Sequence, residues 1–504
     1  MKTIHRVAIA NRGEVAVRII RACEELGIET VLLHSDVDIN SRAYRLATKT
    51  ICIGPAPTAE SYLNIQANID GAKAAGADAI HPGFGFLSEN ADFAEACEKE
   101  GITFIGPSAD SIRTLGDKVR FKNLAKQAGL PLIPGYQGED QSITTLLAEV
   151  EKIAMPVIVK AAAGGGGRGM KLIRNMAEAK ELIESAQREA LSAFGSAQVF
   201  LEKYLGHAKH IEFQIFADCT GKVVHLFDRE CSVQRRHQKI IEEATSPSLT
   251  DDLRKRMAEV ACTIATLGKY KNAGTVEFLL QDNQFYLLEV NTRLQVEHPV
   301  TEEVVGVDLV KMQILTAAGK FIFNATDIRI PKGHAIECRV YAENPYMNGM
   351  PSTGKLGTVL WPEGPRRRYE YGFEAGDTIT SYYDPMIAKV IVWDENRPRA
   401  IQKMIRTLMD SVVFGVHTNI PYLIEILSHP EFKNGTMTTQ FIEKYFPEGL
   451  TSDSNNNLKD TSNEVYKKYI ELSGSVANSK NDLNFISINS SQVISPWQSF
   501  WRGI

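Results

Sequence analysis

The chain has 504 residues and a hydrophobic fraction of 44%, enough for about two to four domains with substantial cores and typical of a globular protein in water. Fifty-six Lys and Arg stand against 61 Asp and Glu, a formal charge of -5. No global basic field is available to hold nucleic acid, so any anion site must be local. The first residues, "MKTIHRVAIANRGE", turn polar too early for a secretory signal, and no stretch approaches the ~18 apolar residues of a membrane span. A soluble, intracellular, cytoplasmic protein with no nucleic-acid or membrane partner is expected. The seven cysteines are scattered without a CxxC pair, as expected of reduced core thiols and not of disulfides or zinc.

Residues 1–114 alternate short β-rich runs ("RVAIA", "TVLLHS", "TICIG", "AIHPG", "TFIG") with helical patterns such as "AVRIIRACEELG". That spacing predicts an α/β domain with a doubly wound parallel sheet. No GxGxxG follows the first strand, so a dinucleotide site is not supported. Residues 115–134 read as a linker helix beginning near Asp117 and closed by Gly129, Pro131 and Pro134. Residues 135–204 read as a second unit: helix "ITTLLAEVEKIA", strand "PVIVKAA", a glycine loop, strand "MKLIR", helix "MAEAKELIESAQREALSA" and strand "QVFLEKYL". A larger mixed α/β region follows over 205–448. Residues 449–504 change character: "TSDSNNNLKDTSN" reads as a linker, "EVYKKYIEL" as a short helix, and the end carries Trp497, Phe500 and Trp501, read either as a strip folded back on the body or as a docking peptide.

The glycine loop "KAAAGGGGRGM" holds Gly164, Gly165, Gly166, Gly167 and Gly169 after Lys160. Without Cβ atoms it can bring N–H groups against phosphate oxygens, with Lys160 as a point charge. It is either a lid that closes over nucleotide or a plain hairpin loop, and it is not a P-loop. In "GDKVRFK", Lys118 opens a helix, where a base normally opposes the macrodipole. "SVQRRHQKIIEEAT" crowds Gln234, Arg235, Arg236, His237 and Lys239 together, either as a solvated face or as one wall of an anion pocket facing Arg293.

"LLEVNTRLQVEHPVTE" sets Glu289, Asn291, Arg293, Gln295 and Glu297 at every second position. In an extended strand these share one face. Such a face is usually just solvated, but this row alternates hard oxygen donors with a planar cation, the groups that hold Mg²⁺ and grip an oxyanion. "GTVEFLL" upstream carries a lone carboxylate, Glu277, which would meet Glu289 across a hairpin turning at "QDNQ".

Taken in order, "HPGFGFLSEN", "KAAAGGGGRGM", "FLEKYL", "QRRHQKIIEEA", "EVNTRLQVEHPVTE" and "IECRVYAE" resemble the biotin carboxylase subunit or domain of biotin-dependent carboxylases, a branch of the ATP-grasp ligases. The similarity covers residues 3 to about 446. It implies an ATP-grasp fold with a mobile glycine-rich lid, and the carboxylation of biotin by ATP and bicarbonate through carboxyphosphate. The implied cofactors are ATP, Mg²⁺ or Mn²⁺, and biotin carried on a partner protein.

By the same resemblance, Glu277, Glu289 and Asn291 hold the metal, while Arg293, Gln295 and the Val296 amide seat bicarbonate and Glu297 is its base. Lys118, Lys160, His237 and the loop residues Gly165, Gly166 and Gly167 meet phosphates. Lys239 meets carboxyphosphate and Gln234 belongs to the nucleotide site. Glu202, Lys203 and the Leu205 backbone read adenine, His210 meets ribose, and Arg339 stabilises the ionised biotin ureido oxygen.

Phe84 stands where many relatives have Tyr beside biotin, and Thr245 where Pro is usual, a change expected to loosen a turn. A biotin carboxyl carrier protein, a carboxyltransferase subunit and a homodimer or larger complex are the implied partners. No Met-Lys-Met occurs, so the biotin carrier is expected on another polypeptide. A carbamoyl-phosphate or purine-ribotide ligase is disfavoured by the single set of grasp motifs and by "RRHQKIIEEA". A catalytically silent organising subunit is disfavoured by the full set of carboxylates and bases. The final acceptor, acyl-CoA or 2-oxo acid, is not encoded in these motifs.

Overall fold

The computed structural model describes residues 3–162, 170–321, 323 and 330–450. The glycine loop and the 451–504 tail therefore lie outside the described residues.

Near-continuous apolar runs build the first sheet, as expected for strands covered on both faces. Strands β1 (Arg6–Ile9), β2 (Glu29–Ser35), β3 (Lys49–Gly54), β4 (Ala79–His81) and β5 (Thr103–Phe104) form a five-stranded sheet in the order β3-β2-β1-β4-β5. Every pair in it is parallel. The order reverses between β1 and β4, so the loops after those two strands open a crevice at one end of the sheet. Those loops carry Asn11 to Glu14 and Gly83 to Glu89. Asn11 Nδ2 donates to the carbonyls of Pro82 (2.7 Å) and Phe84 (2.8 Å). Gly83 adopts φ +63°, and a Cβ there would lie 2.8 Å from Asn11 Nδ2. Glycine is what lets the loop close onto Asn11 and aim Phe84 inward.

The linker helix spans Lys118–Gln127, with Asp117 as its N-cap accepting from the amides of Val119 and Arg120. Beyond it, β6 (Gly135–Tyr136), β7 (Val157–Ala161), β8 (Lys171–Ile173) and β9 (Val199–Lys203) form a separate four-stranded sheet in the order β6-β9-β7-β8. The helices Ile143–Ile153 and Met176–Phe194 cover it, and Leu146, Val150, Val157, Val159, Ile173, Ile183 and Leu201 make its own small core.

The largest sheet has eight strands: β14 (Gln284–Asn291), β13 (Asn272–Gln281), β10 (Lys209–Ala217), β11 (Val223–Arg235), β12 (Gln238–Ala244), β15 (His334–Tyr341), Met386–Asp394 and Arg367–Tyr371, in that order. All its pairings are antiparallel. Helix Asp251–Leu267 packs on β10 and β11, and helix Arg397–Asp410 on β15 and its neighbour Met386–Asp394. Helix His298–Val305 packs on β11, β12, β15 and Met386–Asp394. The first domain joins this body through a shared apolar core that includes Val15, Ile19, Val300, Val304, Ala335 and Ile391. Among the described residues no helix is long and apolar enough to cross a membrane. All seven cysteines are free, though only Cys23, Cys97, Cys231 and Cys338 are buried, and Cys52 is exposed.

Candidate active site

Register explains much of the site. Across β11, β10, β13 and β14, Arg229 opposes Glu212, Glu212 opposes Glu277, and Glu277 opposes Glu289. Directly opposed residues in an antiparallel sheet share a face, so one cation and three carboxylates line up on it. The expected hairpin is present: Asp282 and Asn283 turn it with φ +53° and +60°, the left-handed pair that a two-residue hairpin turn requires.

The long strand read from "LLEVNTRLQVEHPVTE" is corrected by the structure. β14 stops at Asn291, the chain bends through 292–297, and helix His298–Val305 starts with Pro299 in its first turn and Glu297 at its N-cap. Proline fits a first helical turn but cannot donate in a strand ladder, so the alternating pattern ends before it. The side chains still converge, by folding around a corner instead of sharing a strand face.

Arg293 is held by that corner. Its Nε donates to Glu89 (2.9 Å) and its guanidinium also reaches Asn291 Oδ1 (3.1 Å) and Gln295 Oε1 (3.0 Å). Glu89 accepts from the Thr292 amide at 3.0 Å as well. Val296 presents its carbonyl to Lys389 Nζ (2.8 Å).

Lys239 is the hub. Its Nζ lies 2.5 Å from Glu212, 2.7 Å from Glu277 and 2.7 Å from Glu297. Glu297 also accepts from Arg339 Nη2 at 3.0 Å, while Arg339 Nε donates to Glu242 at 2.6 Å. Burial would raise the Glu297 carboxyl, but Lys239, Arg339 and Arg229 overcome it and hold it well below the usual carboxylate range. Glu277 takes further hydrogen bonds from Asn291 (2.9 Å) and Gln295 (3.3 Å), with His210 Nε2 at 3.0 Å. Burial would lower the His210 imidazolium, but Glu277 raises it above the ordinary value. Glu289 behaves oppositely: burial and then the Glu277 charge push its carboxyl up, with Lys118 only partly offsetting them. Two adjoining carboxylates, one of them disfavoured as an anion, together with an amide oxygen, are a hard-oxygen donor set suited to Mg²⁺.

A cavity of about 490 Å³ joins these groups. Lys118, Lys160, His210, Gln234, His237, Lys239, Glu277, Glu289, Asn291, Arg293, Gln295, Val296 and Arg339 line it, with Phe121, Met170, Phe200 and Leu288 as its apolar part. Glu202 lines it too, ion-paired with both Lys122 and Lys160. The remaining expected residues sit elsewhere. Lys203 turns its ammonium to the carbonyls of Ala154 (2.7 Å) and Met155 (3.0 Å), at the end of helix Ile143–Ile153, and neither it nor Leu205 lines the cavity. Glu297 is wholly buried behind Lys239 and Arg339. Gly165, Gly166 and Gly167 fall outside the described residues. Of the basic run on β11 and β12, Arg235 pairs with Glu343 and Arg236 reaches the Asn348 carbonyl, so the expected basic wall narrows to His237 and Lys239.

A second cavity of about 670 Å³ opens at the crevice of the first sheet, lined by Arg12, Glu14, Phe84, Phe86, Tyr382, Tyr383 and Met386. Gln238, Arg293, Val296, Arg339, Tyr341 and Asp384 line both cavities. The Ala244–Thr245 peptide, where the resemblance has proline after Ala, is cis.

Sequence reading missed Glu212, Arg229, Glu242, Glu89 and Lys389. Arg229 is fully buried and bonds Glu212, Gln214 (2.8 Å), Thr301 (2.9 Å) and Thr275 (3.0 Å). The available signal was a charged residue inside an otherwise apolar strand run, as in "IEFQIF".

The family model for the biotin carboxylase N-terminal domain matches residues 3–112, that for the carbamoyl-phosphate synthase L chain ATP binding domain matches 117–323, and that for the biotin carboxylase C-terminal domain matches 337–444. The chain is 47% identical to the biotin carboxylase of Haemophilus influenzae over 443 residues, covering 88% of this chain and 98% of that one. It is also 47% identical to the mitochondrial methylcrotonoyl-CoA carboxylase subunit alpha of Dictyostelium discoideum, over 88% of this chain and 64% of that one. The chain thus spans about three fifths of the length of the methylcrotonoyl-CoA carboxylase alpha subunits it matches. The alignment with the Arabidopsis thaliana subunit runs over 500 residues, so the likeness extends beyond residue 446 into the tail, further than the motifs reach. Among solved structures, a Campylobacter jejuni biotin carboxylase β,γ-ATP complex superposes with a TM-score of 0.84 at 40% identity, over 88% of this chain and 99% of that one. The biotin carboxylase domain of Hydrogenobacter thermophilus 2-oxoglutarate carboxylase, bound to MgADP and bicarbonate, superposes at 0.83 and 42%, over 88% and 98%. The chain belongs to the biotin carboxylase family of ATP-grasp ligases.

Proposed function

We propose that this chain performs the first half-reaction of a biotin-dependent carboxylase: MgATP, bicarbonate and carrier-borne biotin give ADP, phosphate and carboxybiotin through carboxyphosphate. The observation that carries the reading is the wall shared by the two cavities. Arg293, Val296 and Arg339 face both, so an anion activated in the first is adjacent to an acceptor in the second, the proximity that transfer of a short-lived group needs.

Nucleotide occupies the first cavity, its base against Phe121, Met170, Phe200 and Leu288 and its phosphates toward Lys118, Lys160 and His237. Glu277, Glu289 and Asn291 would hold Mg²⁺, which supplies charge neutralisation between the phosphates when bound. Arg293, Gln295 and the Val296 amide seat bicarbonate, and Glu297 takes its proton. In the arrangement described, Glu297 is a weak base because Lys239 and Arg339 both neutralise it. As Lys239 turns to the incoming anionic substrates and Arg339 toward the second cavity, Glu297 loses those partners and its proton affinity rises before bicarbonate is deprotonated. Biotin occupies the second cavity against Phe84, which keeps an apolar face there without a hydroxyl.

A biotin carrier and a carboxyltransferase, outside the motifs of these residues, complete the reaction, and a homodimer or larger assembly in the cytoplasm is the setting we infer. Transfer of label from radioactive bicarbonate to free biotin tests the reading. ATP-dependent labelling is expected, and ATP cleavage without labelled biotin would overturn it.

A further inference from the structure

Behind Arg339 lies a pair of acids that the proposed reaction does not use. Glu242 on β12 and Glu337 on β15 are direct cross-strand partners, both fully buried. Glu242 Oε1 accepts from Arg339 Nε, but its Oε2 has no hydrogen-bond partner among the described residues, and neither has either oxygen of Glu337. Unpartnered carboxylate oxygens at this depth are costly, and two adjoining charges more so. A single proton removes one charge and turns one of the three orphan oxygens into a donor.

We infer that Glu242 and Glu337 hold one proton between them and so present Arg339 with one counter-charge from behind, making the pair a positioning device for that guanidinium. With both acids ionised, Arg339 would be drawn back from Glu297 and from the wall it shares with the second cavity. With one proton it is anchored on Glu242 Oε1 through Nε (2.6 Å) and Nη2 (2.5 Å) and keeps Nη2 within 3.0 Å of Glu297. The role assigned to Arg339 rests on the proposed function; the shared proton does not.

The surroundings favour protonation over pairing. Lys239 on β12, Arg339 and Tyr341 on β15, Lys389 on the strand Met386–Asp394, and Glu297 at the helix start surround the pair, with Cys338 on the opposite face of β15 and Glu14 beyond Lys389. Arg339 already serves Glu242 and Glu297, and Lys389 serves the Val296 carbonyl at 2.8 Å and Glu14 at 3.2 Å. Burial first, with Arg339 opposing it and Glu297 adding to it, raises Glu242 to about 7. Burial likewise raises Glu337 well above the carboxylate range, against Lys389 and with Glu242.

Infrared spectroscopy of the unliganded full chain tests the inference without substrate. Wild type is expected to show a carboxylic-acid carbonyl band at neutral pH that fades as pH rises, and Glu337→Gln to lack that component. In thermal melts, wild type should lose stability relative to Glu337→Gln as pH rises, because a raised folded pKa favours the native state only while the proton is held. If that variant does not fold, Glu242→Gln serves instead: removal of the neighbouring negative charge is expected to move loss of the Glu337 band to lower pH. A neutral-pH spectrum unchanged by Glu337→Gln, a melting difference independent of pH, or a band unmoved by Glu242→Gln would overturn the inference. Absence of carboxylation alongside the expected spectra would count against the proposed function alone.

Discussion

At the scale of single residues, similar acids are set apart by the partners around them. Glu289, the metal ligand we propose, is pushed up by burial and then by the Glu277 charge, whereas Glu297 is held between Lys239 and Arg339. Glu289→Gln is therefore expected to weaken MgATP binding, and Glu297→Gln to leave it near normal while stopping bicarbonate activation. Nucleotide titration with Mg²⁺ separates them, and equal loss in both variants contradicts the division. Arg339→Ala should slow carboxybiotin formation by about tenfold or more relative to biotin-independent ATP hydrolysis, since a charge-assisted bond to an ionising oxygen can be worth a few kcal/mol. A parallel fall in the two rates would make Arg339 a support of the nucleotide site. Glu202 adds a pH signature. Burial would raise its carboxyl, but Lys160 and Lys122 pull it down to about 2. A folded pKa below the unfolded ~4.3 gives stability that is complete above the unfolded value and lost as pH falls toward 2. Protection of the β9 amides, taken relative to the intrinsic exchange rate at each pH, should accordingly fall over that acid range in wild type.

At the scale of elements, the hairpin β13–β14 was legible because its turn chemistry and its carboxylates lie close in sequence. The corner at 292–297 was not. Alternation of polar and apolar residues continues through "NTRLQVE", and only Pro299 marks the change from strand to helix, so periodicity overran the strand. The acids and bases supplied by β10, β11 and β12 were also hidden, because their meaning lies in cross-strand register, which one strand's pattern does not specify. The linker helix offers a local test. Asp117 caps two amides of the turn that begins with Lys118, so Asp117→Ala is expected to cost about 1 kcal/mol locally. Faster amide exchange at Val119 and Arg120, with weaker nucleotide binding through Lys118, is the expected outcome.

At the scale of the whole molecule, the strand–helix alternation of the first domain made its parallel sheet legible, whereas the antiparallel pairing of the body, read only as mixed α/β, and the contacts joining the two were invisible. Glu89, from the loop after β4, reaches across to Arg293 and the Thr292 amide. Arg42 does the same toward Glu374 and the Tyr371 carbonyl, and Arg18 toward Glu302. Because the Glu89 side chain is 38% exposed, its ion pair is discounted to about 1 kcal/mol. Glu89→Ala is expected to raise the KM for bicarbonate several-fold with a smaller change in kcat, and an unchanged KM would mean that Arg293 does not need this anchor.

If both cavities serve one reaction, phosphate release from MgATP is coupled to what occupies the second. The measured rate of release is expected to require bicarbonate and to be stimulated by free biotin, more strongly by a biotinylated carrier. Phosphate release indifferent to both bicarbonate and biotin would contradict it.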